Sequence, residues 1–263
     1  MVKQISYINK IYKFEDGILR ERSDEIVSEY PFTIFVNGEE FATMVCTPTE
    51  LDELILGFLA SEGVIRSKND VTTLQIDENK GFAYVELAAK TTTSQQFYSK
   101  RFIGSCCGKS RQFYFYNDAR TARTSTSKLT ITPIQCLSLM KALQNSSTVF
   151  KETGGVHNAA LCSANKMLIS RTDIGRHNAL DKILGYCIQN RLPIQDKIIA
   201  FSGRISSEVL LKAAKIGVGI ILSKSAPTDL AIKLAHDLNI TAVGFIRGGS
   251  FNVYSHPERI VDK

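Results

Sequence analysis

Residues 197–246 read KIIAFSGRISSEVLLKAAKIGVGIILSKSAPTDLAIKLAHDLNITAVGFI. Short apolar runs at 197–201, 219–223 and 241–246 alternate here with segments whose apolar residues recur at helical spacing. Strands that are apolar throughout are typical of a sheet with helices on both faces. This stretch therefore predicts a layered α/β domain.

The same alternation extends back to Pro133. Two further strands are predicted at 156–162 and 167–171. The predicted helices span 133–144, 178–190, 208–215 and 229–238. We therefore expect residues 129–263 to form one α/β domain.

The first half of the chain has a different pattern, which predicts a smaller α+β domain over residues 1–128. Two strand-like runs, 31–36 and 41–46, flank the hairpin signal Asn37-Gly38. A helix is predicted to open after residues 47–50 and to end at Gly63. A third strand is predicted over residues 81–87. The domain is expected to end in a mobile surface loop, at about residues 91–125, that is polar and carries two cysteines.

The composition is that of a folded globular protein. The chain has 263 residues, of which 44% are hydrophobic and 22% charged, which excludes a disordered chain. It shows no signal-peptide pattern and no apolar run long enough to span a bilayer, so we predict a cytoplasmic protein without a membrane segment. The formal net charge of +6 suits an anionic ligand, and no basic block predicts nucleic-acid binding.

The loops that follow the predicted strands are rich in arginine, serine and glycine. Ligands of open α/β sheets bind at the carboxyl ends of strands, and these residue types are suited to phosphate. Any single loop of this kind is more often only a helix cap, so the prediction depends on several loops converging. The predicted ligand-binding residues are Asp173, Arg176, His177, Ser202, Gly203, Arg204, Ser206, Ser207, Ser225, Arg247, Gly248, Gly249, Ser250 and His157. No dinucleotide or Walker fingerprint is present.

The cysteines fall into two groups. Four are scattered through apolar segments and are interpreted as core residues: Cys46, Cys136, Cys162 and Cys187. They lack the spacing of a zinc site, so no metal is predicted. Cys106 and Cys107 instead lie between Gly104 and Gly108, with basic residues close in sequence that favour a thiolate. We interpret this pair as a reactive thiol on a mobile loop, against the alternative of a chance vicinal pair.

Several of these segments together resemble the formate dehydrogenase accessory sulfurtransferase family, FdhD. The matching runs are residues 47–63, Cys107-Gly108-Lys109, 153–157, 173–182, 202–208, 225–228 and Arg247-Gly248-Gly249. The resemblance extends over nearly the whole chain, and the run Gly175-Arg176-His177-Asn178 is the most specific part of it.

The resemblance implies a cytoplasmic sulfur carrier. Such a protein takes sulfane sulfur from a cysteine desulfurase as a cysteine persulfide and passes it to the molybdenum bis-molybdopterin guanine dinucleotide cofactor, which formate dehydrogenase requires in sulfurated form. It also implies a cytidine-deaminase-like three-layer α/β/α domain without zinc, a homodimer, and binding of guanine nucleotides such as GDP at the cofactor site. The stretch Phe245-Ile246-Arg247-Gly248-Gly249-Ser250 matches a family segment associated with cofactor contact.

One departure from the family pattern leaves the thiol assignment open. The family usually carries Cys-x-x-Cys followed by glycine, and here Gly104 stands in the first cysteine position if Cys107 takes the second. The persulfide is therefore assigned to Cys107 or Cys106, with Cys107 favoured. Two other classes remain as alternatives: a guanine-nucleotide cofactor chaperone without thiol chemistry, and a metal-dependent deaminase or hydrolase.

Overall fold

A computed structural model describes residues 4–88 and 122–262, together with the backbone of 101–103. The described strands are β1 (Ser6–Glu15), β2 (Ile18–Val27), β3 (Tyr30–Val36), β4 (Glu39–Cys46), β5 (Val71–Asp77), β6 (Phe82–Leu87), β7 (Arg101–Ile103), β8 (His157–Cys162), β9 (Met167–Asp173), β10 (Ile198–Phe201), β11 (Ile220–Ser223), β12 (Thr241–Arg247) and β13 (Ser250–Val253). The described helices are α1 (Leu51–Ser61), α2 (Pro133–Ser146), α3 (Thr148–Thr153), α4 (Arg176–Asn190), α5 (Ser207–Ile216) and α6 (Asp229–Asp237).

The second half of the chain forms a six-stranded sheet in the order β13-β12-β11-β10-β8-β9. Side chains of the central strands alternate between two cores: Ile199 and Phe201 face the core shared with α4, α5 and α6, while Ile198 and Ala200 face the core shared with α2. The predicted three-layer α/β/α architecture is therefore present. Its cytidine-deaminase-like description stays a prediction.

The first half builds a five-stranded sheet in the order β5-β6-β3-β4-β7, with α1 packed on it. The predicted hairpin is confirmed: β3 pairs with β4 around Asn37-Gly38, where φ is +49° and +83°. Strand β7 lies within the segment predicted as a mobile loop, and its backbone pairs in parallel with β4.

The two halves of the chain pack in close contact where α1 crosses α4. A Cβ atom at Gly57 would lie 1.7 Å from the carbonyl oxygen of Asp181, and one at Gly185 would lie 1.8 Å from that of Glu53. Only glycine permits such a close approach of two helix backbones. Beside the crossing, Arg171 Nε donates to Glu53 Oε2 at 2.5 Å.

The division into two domains stays a prediction, and the structure adds two details to it. Residues 122–128, which we assigned to the first domain, lie against the C-terminal sheet: Ser125 N donates to the carbonyl of Leu238 at 2.8 Å, and Ser125 is buried. The polar serines of this segment suggested a position at the surface. Their hydroxyls accept hydrogen bonds from nearby backbone amides, so these polar groups keep hydrogen-bond partners when they are buried. The sequence analysis also missed β1 and β2, which pair as a separate two-stranded sheet.

Candidate functional site at the sheet edge

The loops predicted to bind an anion lie along one edge of the six-stranded sheet. Strands β10, β11 and β12 run parallel, so their carboxyl ends meet at this edge. Strand β8 runs antiparallel to β10, so His157 stands at the same edge, where it pairs with Asp173 at the end of β9. The topology therefore brings together segments that lie far apart in the sequence.

Hydrogen bonds fix the loop after β10 to the strands on either side. The amide of Asn158 donates to Ser202 Oγ at 2.9 Å, and the Ser202 amide donates to the Asn158 carbonyl at 3.0 Å. On the other side, Ser223 Oγ donates to the carbonyl of Gly203 at 2.7 Å. This edge of the sheet is preorganised, because its turns are held by one another.

The same arrangement continues to β12. Ile205 N donates to the carbonyl of Ala226 at 3.1 Å, and Phe245 N donates to that of Ser225 at 3.2 Å. Phe245 has a φ of +54°, a conformation that costs free energy for a residue with a side chain and is often found at functional sites. The Arg247 guanidinium lies 5.3 Å from the centre of the Phe245 ring. The strained residue thus lies two positions before the exposed arginine of this loop.

The turn after β12 requires two glycines. Gly248 and Gly249 have φ of +56° and +81°, the two positive values of the tight hairpin turn that joins β12 to β13. Their backbone is exposed, as is Ser250. This turn presents peptide groups and a serine hydroxyl to solvent beside Arg247.

His157 is a half-buried imidazole at the entrance of β8. A Cβ atom on Gly203 would lie 3.4 Å from Nδ1 of His157, so the lack of a side chain at Gly203 leaves room for the imidazole ring. Burial lowers the pKa of His157, and the neighbouring charges of Arg176 and His177 lower it further. The imidazole is therefore neutral at pH 7, with one nitrogen able to donate and one able to accept a hydrogen bond.

His177 and Asp173 position the loop between β9 and α4. His177 Nε2 lies 3.1 Å from Glu208 Oε2, which connects this loop to the start of α5. Asp173 is fully buried, and its carboxylate accepts from the amide of Gly175 and from Lys182 Nζ, each at 2.8 Å. Its oxygens therefore hold the loop from within, and a contact of Asp173 with the ligand stays a prediction.

The remaining predicted residues differ in how they meet solvent. The exposed ones are Arg204, Arg247, Gly248, Gly249 and Ser250; the half-buried ones are His157, Arg176, His177, Ser202, Ser206, Ser207, Ser225 and Phe245; Gly203 and Ile246 are buried with Asp173. Ser206 has a structural role as well, since its hydroxyl caps α5 by accepting from Val209 N at 3.4 Å. Two cations and several hydroxyl groups therefore face outward along the edge.

Three residues at this edge were not among the predicted site residues. Lys224 is exposed beside Ser225 and adds a third cation, Glu208 pairs with His177, and Asn158 ties β8 to β10. Lys224 and Glu208 lie within the loop motifs that predicted the site, so their positions in the sequence could have identified them as site residues. Asn158 lies in a strand, where nothing in the sequence indicated its hydrogen bonds.

Cys106 and Cys107, the predicted reactive thiols, lie outside the described residues. The four described cysteines are all buried. Burial raises the pKa of the Cys136, Cys162 and Cys187 thiols to about 12 and also raises that of Cys46. These four thiols are protonated at neutral pH and so are not nucleophiles.

The described part of the chain holds neither a cluster of metal ligands nor a membrane-spanning helix. Within residues 4–88 and 122–262, no group of three or more His, Cys, Asp or Glu side chains is placed to hold a metal ion. In the same ranges, no helix combines the length and apolar character needed to cross a bilayer.

Comparison with known proteins gives concordant results. The model of the FdhD/NarQ family matches residues 27–261. A protein of Halalkalibacterium halodurans named sulfur carrier protein FdhD is 61% identical over 263 residues, covering 99% of this chain and 97% of that protein. A Staphylococcus aureus protein of the same name is 58% identical over 262 residues, covering 100% of this chain and 99% of the relative.

A solved structure has the same fold. The chain from Desulfotalea psychrophila, assigned as a formate dehydrogenase accessory protein, superposes with a TM-score of 0.79 at 23% identity and covers 98% of this chain and 100% of its own. The family match and the near full-length identities place the sequence without ambiguity: this chain belongs to the FdhD/NarQ family.

Proposed function

We propose that this chain is a sulfur carrier for formate dehydrogenase maturation. It accepts sulfane sulfur from a cysteine desulfurase and passes it to the molybdenum bis-molybdopterin guanine dinucleotide cofactor, acting as a sulfurtransferase. The observation that carries the proposal is the near full-length identity to proteins named sulfur carrier protein FdhD. The role belongs in the cytoplasm, a reducing compartment in which free thiols persist.

The sheet edge supports binding of the cofactor, which is the substrate here. Arg204, Lys224 and Arg247 are exposed along it, and cations, hydroxyls and backbone N–H groups are the usual partners of phosphate. From β9 to β12 the edge crosses four strand-to-strand steps, about 19 Å in all. An elongated ligand with phosphates along its length fits such a row, and GDP would occupy part of it.

Sulfur acceptance needs one nucleophilic thiol. The carrier thiolate attacks the outer sulfur of the desulfurase persulfide, a new S–S bond forms, the old one breaks, and the desulfurase thiolate leaves. No oxidant is consumed. Release of that outer sulfur as sulfide to the cofactor takes two electrons, which a thiol reductant supplies by becoming a disulfide.

The carrier thiol is assigned to Cys107, with Cys106 as the neighbour that could take its place. The four described thiols are buried and protonated, which leaves this pair as the candidates. Basic residues surround the pair in sequence, including Lys109 and Arg111, and positive charge favours the thiolate. We include in the proposal that two copies of the chain associate as a homodimer.

Cys107→Ala is expected to lose most persulfide formation, and the Cys106→Ala/Cys107→Ala variant all of it. Each protein is incubated with a cysteine desulfurase and cysteine, and its intact mass is then measured. Cys136→Ala is the matched control, because that thiol is buried and is expected to leave sulfur loading unchanged.

Retention of sulfur by the double variant would contradict the carrier assignment. If cells expressing that variant also matured formate dehydrogenase normally, the protein would instead be a guanine-nucleotide cofactor chaperone without thiol chemistry.

A further inference from the structure

The β1–β2 hairpin carries an apolar surface that the chain itself leaves uncovered among the described residues. Ile8 is 76% exposed, Phe14 70%, Tyr12 69% and Leu19 62%. These values are far above those of ordinary strand residues with a packed face. An isolated two-stranded hairpin is only marginally stable in water, so such an element normally has a covering surface.

The four most exposed apolar side chains share one face. Ile8, Tyr12 and Phe14 alternate along β1, and Leu19 lies directly opposite Phe14 in the antiparallel register. One ion pair lies on this face, with Lys10 Nζ 2.9 Å from Glu21 Oε1, and the carboxylate of Glu25 accepts from Ser6 Oγ. A face whose cation is already paired, and whose remaining carboxylate is already hydrogen-bonded, suits a largely apolar surface rather than a strongly charged partner.

The hairpin joins the body at its base. A Cβ atom on Gly155 would lie 2.7 Å from Val27 Cγ1, and Ser28 N donates to the Ile5 carbonyl at 2.8 Å. Helix α3 packs against β2 there and carries Phe150, which is 42% exposed. The helix at the base of the hairpin therefore carries a further exposed apolar side chain.

The size of the hairpin indicates which kind of partner covers it. Each strand has ten residues, so the hairpin extends about 33 Å, and a face about 10 Å wide offers roughly 330 Å². One such face seated on an unrelated protein buries about 660 Å² in total, below the 1,200–2,000 Å² typical of specific complexes. A symmetric pair, in which each copy contributes one hairpin and one receiving surface, buries about 1,300 Å².

We propose that the β1–β2 hairpin is an arm that packs its Ile8–Tyr12–Phe14–Leu19 face onto the body of a second copy of this chain. The inference rests on the proposed homodimer and identifies the surface that forms it. Each copy places its arm on the other copy, and a twofold axis relates the two contacts. The same apolar residues are therefore buried in both copies of the dimer.

Sedimentation equilibrium tests the arm directly. The wild-type protein is expected to be dimeric at micromolar concentration. In Ile8→Thr/Phe14→Thr, which keeps strand propensity while removing two large apolar groups, the dissociation constant is expected to rise at least about 100-fold. The control Ile134→Thr changes a residue that is 78% exposed on α2, and it should dimerise like wild type.

A second measurement does not depend on the folding of that variant. A benzophenone photo-cross-linker in place of Tyr12 is expected to join two copies of the chain. A monomeric wild-type protein, an arm variant as dimeric as the control, or cross-links confined within one chain would each overturn the proposal. Neither measurement involves sulfur, so a failure here is distinct from a failure of the carrier function.

Discussion

Replacing Gly185 with alanine is expected to lower the free energy of unfolding by about 3 kcal/mol, although alanine favours helix formation by about 1 kcal/mol over glycine. The new Cβ atom would lie 1.8 Å from the carbonyl oxygen of Glu53. Neither helix yields locally, because the obstructing atom belongs to the backbone of α1. The helices must separate, which disturbs the packing of both halves of the chain.

Denaturant unfolding of Gly185→Ala and of Gly57→Ala measures this effect. The double variant should lose less than the sum of the single variants, because one separation of the helices relieves both clashes. Lys141→Ala, an exposed change on α2, is the control and should stay within about 0.5 kcal/mol of wild type. A Gly185→Ala protein as stable as wild type would show that the crossing is not a tight contact.

Lys182→Met is expected to destabilise the protein by about 3–5 kcal/mol, because it leaves the Asp173 carboxylate buried without its cation. Both side chains are completely buried, and Lys182 Nζ also donates to Thr47 Oγ1 at 2.8 Å. The same carboxylate holds the amide of Gly175, so the loop that carries Arg176 and His177 loosens with it.

Two further variants separate the effect of the unpaired buried charge from the effect of lost side-chain packing. Lys182→Met/Asp173→Asn should recover part of the loss, since no lone charge remains in the interior. Lys80→Met breaks an exposed pair at 3.6 Å from Asp77 and should cost no more than about 1 kcal/mol. Thermal and denaturant unfolding give these values, and equal effects for Lys182→Met and Lys80→Met would contradict the role assigned to the buried pair.

The C-terminal sheet and the gathering of its loops at one edge were predictable because they depend on local patterns. Strand β10 is apolar throughout and β11 is apolar up to its last residue, Ser223. The serine, glycine and arginine residues that follow these strands mark the positions where helices begin. Since parallel strands end at a common edge, placing the loops needed only the alternation of strand and helix.

The contacts between distant segments were not predictable from one sequence. Nothing local to Gly57 or Gly185 shows that each faces the other's helix, and nothing local to Asp173 shows its buried contacts with Lys182 and Thr47. The β1–β2 hairpin was missed because its faces mix apolar and charged residues, which weakens the alternation typical of a half-buried strand.

We propose that sulfur carried by a thiol of this chain is delivered to a cofactor held at the sheet edge. The most direct test loads the protein with radiolabelled persulfide and adds formate dehydrogenase whose molybdenum cofactor lacks sulfur. Transfer of label and the appearance of formate oxidation are then followed together. We predict that Arg247→Ala and Arg204→Ala load normally but deliver label at least about tenfold more slowly, as loss of a charged phosphate contact requires. Arg66→Ala, an exposed arginine in the first half of the chain, should deliver at the wild-type rate. Delivery by both edge variants as fast as by wild type would show that the cofactor does not bind at the sheet edge.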